Sequence, residues 1–166
     1  ALWMWRGGLL ARGTAIACIA AALVLATWRP PAGPDEAGAS LPAGAIAYSP
    51  TRLEELRAAG QPVFVDVTAD WCITCLANEQ AVLFTDEMRA AFDSHGVVYM
   101  IADWTNYDPD IARFIESHGR TGIPLYLMYP ADPSAAPLIL PQLLTSATVL
   151  EALSAVSGQN QAIAAN

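Results

Sequence analysis

Positive charge is scarce in this chain. Lys and Arg together number 8 against 16 Asp and Glu, a formal net charge of −8. With no basic patch interleaved with aromatics, that balance argues against a nucleic-acid ligand. Histidine is scarcer still. His95 and His118 lie far apart, and each precedes a Gly, as helix-end residues often do. Cysteine is limited to Cys18, Cys72 and Cys75. A structural zinc site needs four ligands, usually a second Cys pair or two His at short spacing, and neither is present. Charged residues make up only 14% of the chain while 54% is hydrophobic, which is high for a soluble domain. The apolar excess sits at the N-terminus.

What is there is a cysteine pair in a telling position. Trp71-Cys72-Ile73-Thr74-Cys75 follows the apolar run Pro62-Val63-Phe64-Val65-Asp66-Val67. The run is short, β-branched and introduced by Gly60 and Pro62, so it reads as a buried strand. The stretch from about Thr74 to Leu83 lacks Gly and Pro and reads as a helix. Cys72 then sits at a helix N-terminus, where unpaired N–H groups and the helix dipole favour a thiolate. The thiolate is the reactive species in thiol–disulfide exchange. Cys75 lies one turn on, close enough to close a disulfide with it. Closing so short a loop removes little unfolded-state entropy, so stabilisation alone does not account for the pair. Cu(I) held by the two thiolates is chemically reasonable and stands as the non-enzymatic alternative. A non-catalytic interaction domain would require the cysteines to be inert.

From Leu9 to Trp28 the chain is almost wholly apolar, broken by Arg12. About 20 residues suffice for a helix to cross a bilayer. Trp3, Trp5 and Trp28 fit interfacial aromatic belts, and Arg12 can snorkel to the interface. Arg6 and Arg12 precede the apolar core and Arg29 follows it, which orients the N-terminus to the cytoplasm. A cleaved signal peptide competes with this reading. The small-residue sites Ala37-Gly38-Ala39 and Ala43-Gly44-Ala45 lie far from the apolar core, so an anchor is the expectation for residues 1–29. Residues 30–45, rich in Pro, Gly and Ala, read as a flexible linker. Cys18, mid-span among Ala and Ile, behaves as a small apolar residue.

The folded unit is expected over 46–158, with a frayed tail over 159–166. Ser49-Pro50 supplies an N-cap and a Pro at N1, so a short helix should run to about Ala59. Thr85-Asp86 begins another helix, ending near His95-Gly96. Val97–Ala102 is a second buried strand. Pro109 or Asp110 opens a helix to about His118. Pro124–Tyr129 is a third strand and Leu138–Leu140 a fourth, and Ser146–Val156 is a final amphipathic helix. The order is βαβα then ββα, an α/β fold with the cysteines at the carboxyl end of the first central strand. Open α/β sheets place their chemistry at such ends.

The stretch 65–75, Val-Asp-Val-Thr-Ala-Asp-Trp-Cys-Ile-Thr-Cys, resembles the thioredoxin superfamily. With Asn78-Glu79, Ala102-Asp103-Trp104-Thr105 and Gly122-Ile123-Pro124-Leu125-Tyr126, the pattern is similar to the C-terminal domain of the DsbD/ScsB membrane thiol reductases, over residues 46–157. The resemblance implies a thioredoxin-like fold after a last transmembrane helix, in the bacterial inner membrane with the catalytic domain in the periplasm. It implies a protein-disulfide reductase that relays electrons from the membrane domain of the same protein to periplasmic disulfide-containing partners. It implies no flavin, haem or nicotinamide.

It also implies roles for particular residues. Cys72 would attack and Cys75 would resolve the mixed disulfide. Asp66, six residues before Cys72, would be a buried acid that exchanges a proton with Cys75. Glu79, one helical turn beyond Cys75, matches a second acid, and equally reads as a solvated helix residue. Ile123-Pro124 matches the thioredoxin cis-proline, beside which an extended partner peptide can pair. Trp71 adjoins the site and serves either packing or partner contact, and Trp104 and Tyr107 read in the same two ways. The pattern departs from thioredoxin in having Ile73-Thr74 where thioredoxin has Gly-Pro. It departs from many DsbD-like domains in having Leu76 where they carry Lys.

Overall fold

The architecture follows from where short apolar runs meet helix caps. The computed structural model describes residues 41–164. The anchor expected over 1–29 and residues 30–40 of the linker expected over 30–45 lie outside the described residues. Among the described residues no helix is long and apolar enough to cross a membrane.

The elements run β1 (Ala45–Ala47), α1 (Pro50–Ala58), β2 (Val63–Thr68), α2 (Ile73–Asn78), a π-helical turn (Glu79–Leu83), α3 (Asp86–His95), β3 (Val98–Asp103), α4 (Pro109–Ser117), β4 (Leu125–Tyr129), β5 (Leu138–Ile139) and α5 (Ser146–Ala164). Three helices start as their caps dictate. The Ser49 hydroxyl accepts from the Arg52 N–H with Pro50 in the first turn, Thr85 accepts from Met88, and Asp108 accepts from Asp110 and Ile111 ahead of Pro109. Each side-chain acceptor satisfies a backbone donor that the helix itself leaves open. Gly96 closes α3 with φ of 63°, a left-handed cap that glycine adopts without a Cβ clash.

The strands form one mixed sheet in the order β1-β3-β2-β4-β5. β2 is central, parallel to β3 on one side and antiparallel to β4 on the other. All of its side chains are buried. Because side chains alternate across a sheet, Val63, Val65 and Val67 face one layer and Phe64, Asp66 and Thr68 the other. The valine face packs on Leu53 and Leu56 of α1 and Ile111, Phe114 and Ile115 of α4. The opposite face packs Phe64, Tyr99 and Tyr126 under Met88 and Phe92 of α3 and Val149 and Leu153 of α5. Helices thus cover both faces of the sheet, and Asp66 is the carboxyl on the α3 and α5 side.

Three features differ from the expectations above. The edge strand β1 was not anticipated. It is three residues of Ala-Ile-Ala, too short to show a period, and it exists because β3 offers a parallel edge to pair with. The helix expected from Thr74 to Leu83 changes register at Glu79, where Phe84 N–H donates to Glu79 C=O at 2.7 Å. The helix expected to stop near Val156, with a tail from Gln159, continues to Ala164. A single Gly158 costs only about 1 kcal/mol in a helix interior, and Gln and Ala around it are good helix formers.

Asn78, the last residue of α2, ties that helix to the far edge of the sheet. Its buried amide donates to Tyr126 Oη at 2.9 Å and to Gln142 C=O at 2.7 Å, and accepts from Leu144 N–H at 3.2 Å. Replacing Asn78 by Ala leaves those groups unpaired in the interior. The expected loss, from the urea midpoint of unfolding, is about 2–3 kcal/mol. A change below about 0.5 kcal/mol would show that the amide does not hold α2 in place.

Candidate active site

β2 ends at Thr68, and the chain turns through Ala69 and Asp70 into α2. Cys72 is the N-cap of α2, with extended backbone, and its Sγ accepts from the Cys75 N–H at 3.3 Å. Cys72 and Cys75 are joined by a disulfide, with their Cα atoms 5.2 Å apart. Cys72 retains 7% of its surface to solvent and Cys75 none, so Cys72 alone offers a route in. The Ile123–Pro124 peptide is cis, and Ile123 packs against the cluster of Ala69, Cys72 and Cys75. Tertiary structure therefore brings the cysteine pair and the cis-proline together from opposite ends of the domain.

β2 and the turn after α2 carry a buried polar layer. Asp66 is fully buried. Its Oδ2 accepts from Tyr99 Oη at 2.7 Å, while its Oδ1 has no partner among the protein groups. Burial pushes the Asp66 carboxyl up from 3.8 to about 7. The Tyr99 hydrogen bond opposes that shift, and the neighbouring Glu79 charge adds to it. Glu79 is also buried, at 6% exposure, and accepts a short hydrogen bond from Thr68 Oγ1. Burial raises its carboxyl too, helped by Asp70 and Asp103 and opposed by the Thr68 bond. Tyr99 and Tyr126 are both pushed up by burial and by the same two acids. The solvated reading of Glu79 is thereby corrected. The helix that follows Cys75 turns its Glu79 side chain inward onto β2, where Thr68 holds it.

Trp71 stands on the surface beside the disulfide, 46% exposed. Its Nε1 donates to Thr105 C=O at 3.2 Å, and its ring stacks on Tyr107 with centroids 5.6 Å apart. Tyr99, Thr68 and Thr105 were missed by sequence reasoning. Tyr99 and Thr68 are ordinary strand residues in sequence; the role of Tyr99 appears once β2 and β3 pair in register, and that of Thr68 once Glu79 turns onto β2. Among the described residues no group of three or more His, Cys, Asp or Glu is arranged to hold a metal ion.

A dithiol–disulfide pair at the start of a helix, backed by a cis-proline, on a sheet with helices on both faces, defines a thiol–disulfide oxidoreductase of the thioredoxin class. Residues 45–131 match the family model described as Thioredoxin-like, and the chain belongs to that family. It is 30% identical over 112 residues to the thiol:disulfide interchange protein DsbD of Ralstonia nicotianae, covering 66% of this chain and 18% of that protein. It is 31% identical over 77 residues to thiol:disulfide interchange protein DsbD 1 of Pseudomonas aeruginosa, covering 46% of this chain and 13% of that one. The chain thus spans less than a fifth of the curated relatives it matches. The reduced C-terminal domain of Neisseria meningitidis DsbD superposes with a TM-score of 0.52 at 21% identity, covering 67% of this chain and 99% of that domain. The resemblance read from the sequence holds for the domain.

The raised Asp66 carboxyl makes stability depend on pH with a definite sign. Between 3.8 and about 7 the folded protein keeps a proton that the unfolded chain has released. Stability from this group is full below about pH 4 and is lost as pH rises towards 7. The whole change is at most about 4 kcal/mol. Asp66→Asn removes it, so urea midpoints of the two proteins should diverge as pH rises from 4 to 8, with the variant losing less. Parallel curves would mean that Asp66 titrates normally.

Proposed function

We propose that this domain is a protein-disulfide reductase and a relay station, passing electrons from a membrane domain of the same protein to disulfide-containing partners in the periplasm. The observation that carries the reading is the asymmetry of the pair: a grazing exposure at Cys72, full burial at Cys75, and the cis-proline packed beside both. The names of the curated relatives as thiol:disulfide interchange proteins support it.

In the proposed cycle the reduced domain presents Cys72 as a thiolate, favoured by the N–H groups at the start of α2. Cys72 Sγ attacks one sulfur of the partner disulfide. A Cys72–partner bond forms, the partner S–S bond breaks, and the released partner thiolate takes up a proton. Cys75 then loses its proton and attacks Cys72 Sγ. The Cys72–Cys75 disulfide forms and the partner leaves with its second thiol. Two electrons and two protons move to the partner, and the membrane domain restores the dithiol. Asp66 receives the Cys75 proton, a role that suits a carboxyl poised at about 7. Glu79, with a carboxyl also raised and in electrostatic contact with Asp66, is the second acid of the relay. Backbone beside cis-Pro124 pairs with the partner chain, and Trp71 and Ile123 flank it.

Single cysteine variants test the order of attack. Cys75→Ser should accumulate mixed disulfides with partner proteins through Cys72, visible as reductant-sensitive adducts on a non-reducing gel. Cys72→Ser should give none. Equal trapping by the two variants would contradict the assignment.

A further inference from the structure

The proposed reduction leaves open what kind of partner the domain accepts, and the surface around Cys72 speaks to that. Trp71 and Tyr107 stack with their planes 16° apart, and Trp104 meets Tyr107 edge-on at 5.3 Å. Tyr107 is 64% exposed and Ile73, between the cysteines, 82%. This shelf is fixed from below by Thr105. Thr105 C=O accepts from Trp71 Nε1, and Thr105 Oγ1 accepts from the Asp70 N–H at 3.0 Å and donates to Asp103 Oδ1. Tyr107 itself sits at φ of 57°, a left-handed conformation unusual for a residue with a Cβ, and its N–H donates to Trp104 C=O at 3.0 Å. Large apolar side chains held this far into solvent mark an interaction surface.

The charge around the shelf is of one sign. Asp70 precedes Trp71 and Asp108 follows Tyr107, both exposed. Asp70 and Asp103 also line an adjacent cavity of about 110 Å³, whose other walls include Glu79, Leu76 and Phe84. From Gln61 to Arg113 the sequence holds no lysine and two arginines, Arg89 and Arg113, which are paired with Asp86 and Asp110. Arg120, exposed in the turn before the cis-proline, is the cation closest in sequence to that loop.

We infer that the surface beside Cys72 accepts partner segments carrying Lys or Arg next to the disulfide cysteine, with the cationic side chain laid on the Trp71–Tyr107 shelf and against Asp70 and Asp103. This inference rests on the reductase reading and names the substrate class for that same site. Indole and phenol faces attract a cation, and flanking carboxylates add to that attraction and steer the encounter. A preformed shelf also lowers the ordering cost of docking. Acidic segments are repelled by the same groups, which gives selectivity by rejection as well as by attraction.

Matched peptide disulfides test the inference. Three peptides differ only in the residue flanking the cysteine: Lys, Gln or Glu. Each is mixed with the reduced protein in stopped flow, and each rate is divided by that of dithiothreitol on the same peptide. At low salt the Lys peptide should react at least ~10-fold faster than the Glu peptide, with Gln between them. The gap should shrink several-fold at about 1 M salt, where charges are screened beyond ~3 Å. The double variant Asp70→Asn, Asp103→Asn should shrink it at low salt, and Tyr107→Ala should slow the Lys peptide more than the Gln peptide. Equal normalised rates for all three peptides would overturn the cation preference and leave the reductase reading standing. If none is reduced while the thiols titrate as free, the reductase reading fails and this inference with it.

Discussion

A carboxyl group wholly buried on the central strand is the constraint around which this part of the fold is arranged. Asp66 sits on the central strand, fully buried, with one oxygen held by Tyr99 and the other without a protein partner. An ionised carboxylate there has a large desolvation penalty, so the group holds its proton far above the usual carboxylate range. Its surroundings follow from that constraint. Tyr99 on β3 must reach it, so β2 and β3 must pair in this register. Glu79 must turn inward to share the layer, and it does so where the helix after Cys75 loosens into a π-helical turn. Single π-helical turns often occur at functional sites. Asn78 beside it anchors the helix to Tyr126.

The same layout separates two kinds of electrostatics. Asp66 and Glu79 are buried, and burial raises both carboxyls. Asp70 and Asp103 are exposed and, in the proposed docking, would shape what approaches. Glu79 feels both sets, since Asp70 and Asp103 help to raise it and it in turn raises Asp66. Arrival of a cationic partner side chain against Asp70 and Asp103 would ease that repulsion and lower the cost of ionising Glu79. If the proposed docking and proton transfer both hold, they would be coupled through Asp70, Asp103, Glu79 and Asp66, in the direction that frees a base when a substrate binds.

Much of this was legible in the sequence where the signal is local. Caps at Ser49 and Thr85, the helix opening at Pro109, the stop at Gly96 and the apolar run before Cys72 each announce an element by residue type alone. The paired cysteines were legible from their spacing and their place after the strand, and the cis-proline through a resemblance. Features that depend on pairing between distant segments were not. Tyr99 reads as one aromatic in a buried strand, and nothing local says its hydroxyl meets Asp66. Glu79 was ambiguous because an α-helical period leaves its face open, whereas the change to a π-helical turn decides it. β1 was hidden because Ala-Ile-Ala has no pattern without the edge of β3 beside it. The extension of α5 to Ala164 was hidden by overweighting Gly158.

The most direct test is the titration of the Asp66 carboxyl itself, followed by carbon-detected NMR in the oxidised and the reduced protein. In the oxidised form it should titrate near 7, well above the ordinary 3.8. On reduction, a thiolate nearby disfavours a second negative charge, so the midpoint should move higher. A carboxyl that titrates near 4 in both redox states would contradict the proposed proton store and remove Asp66 from the chemistry.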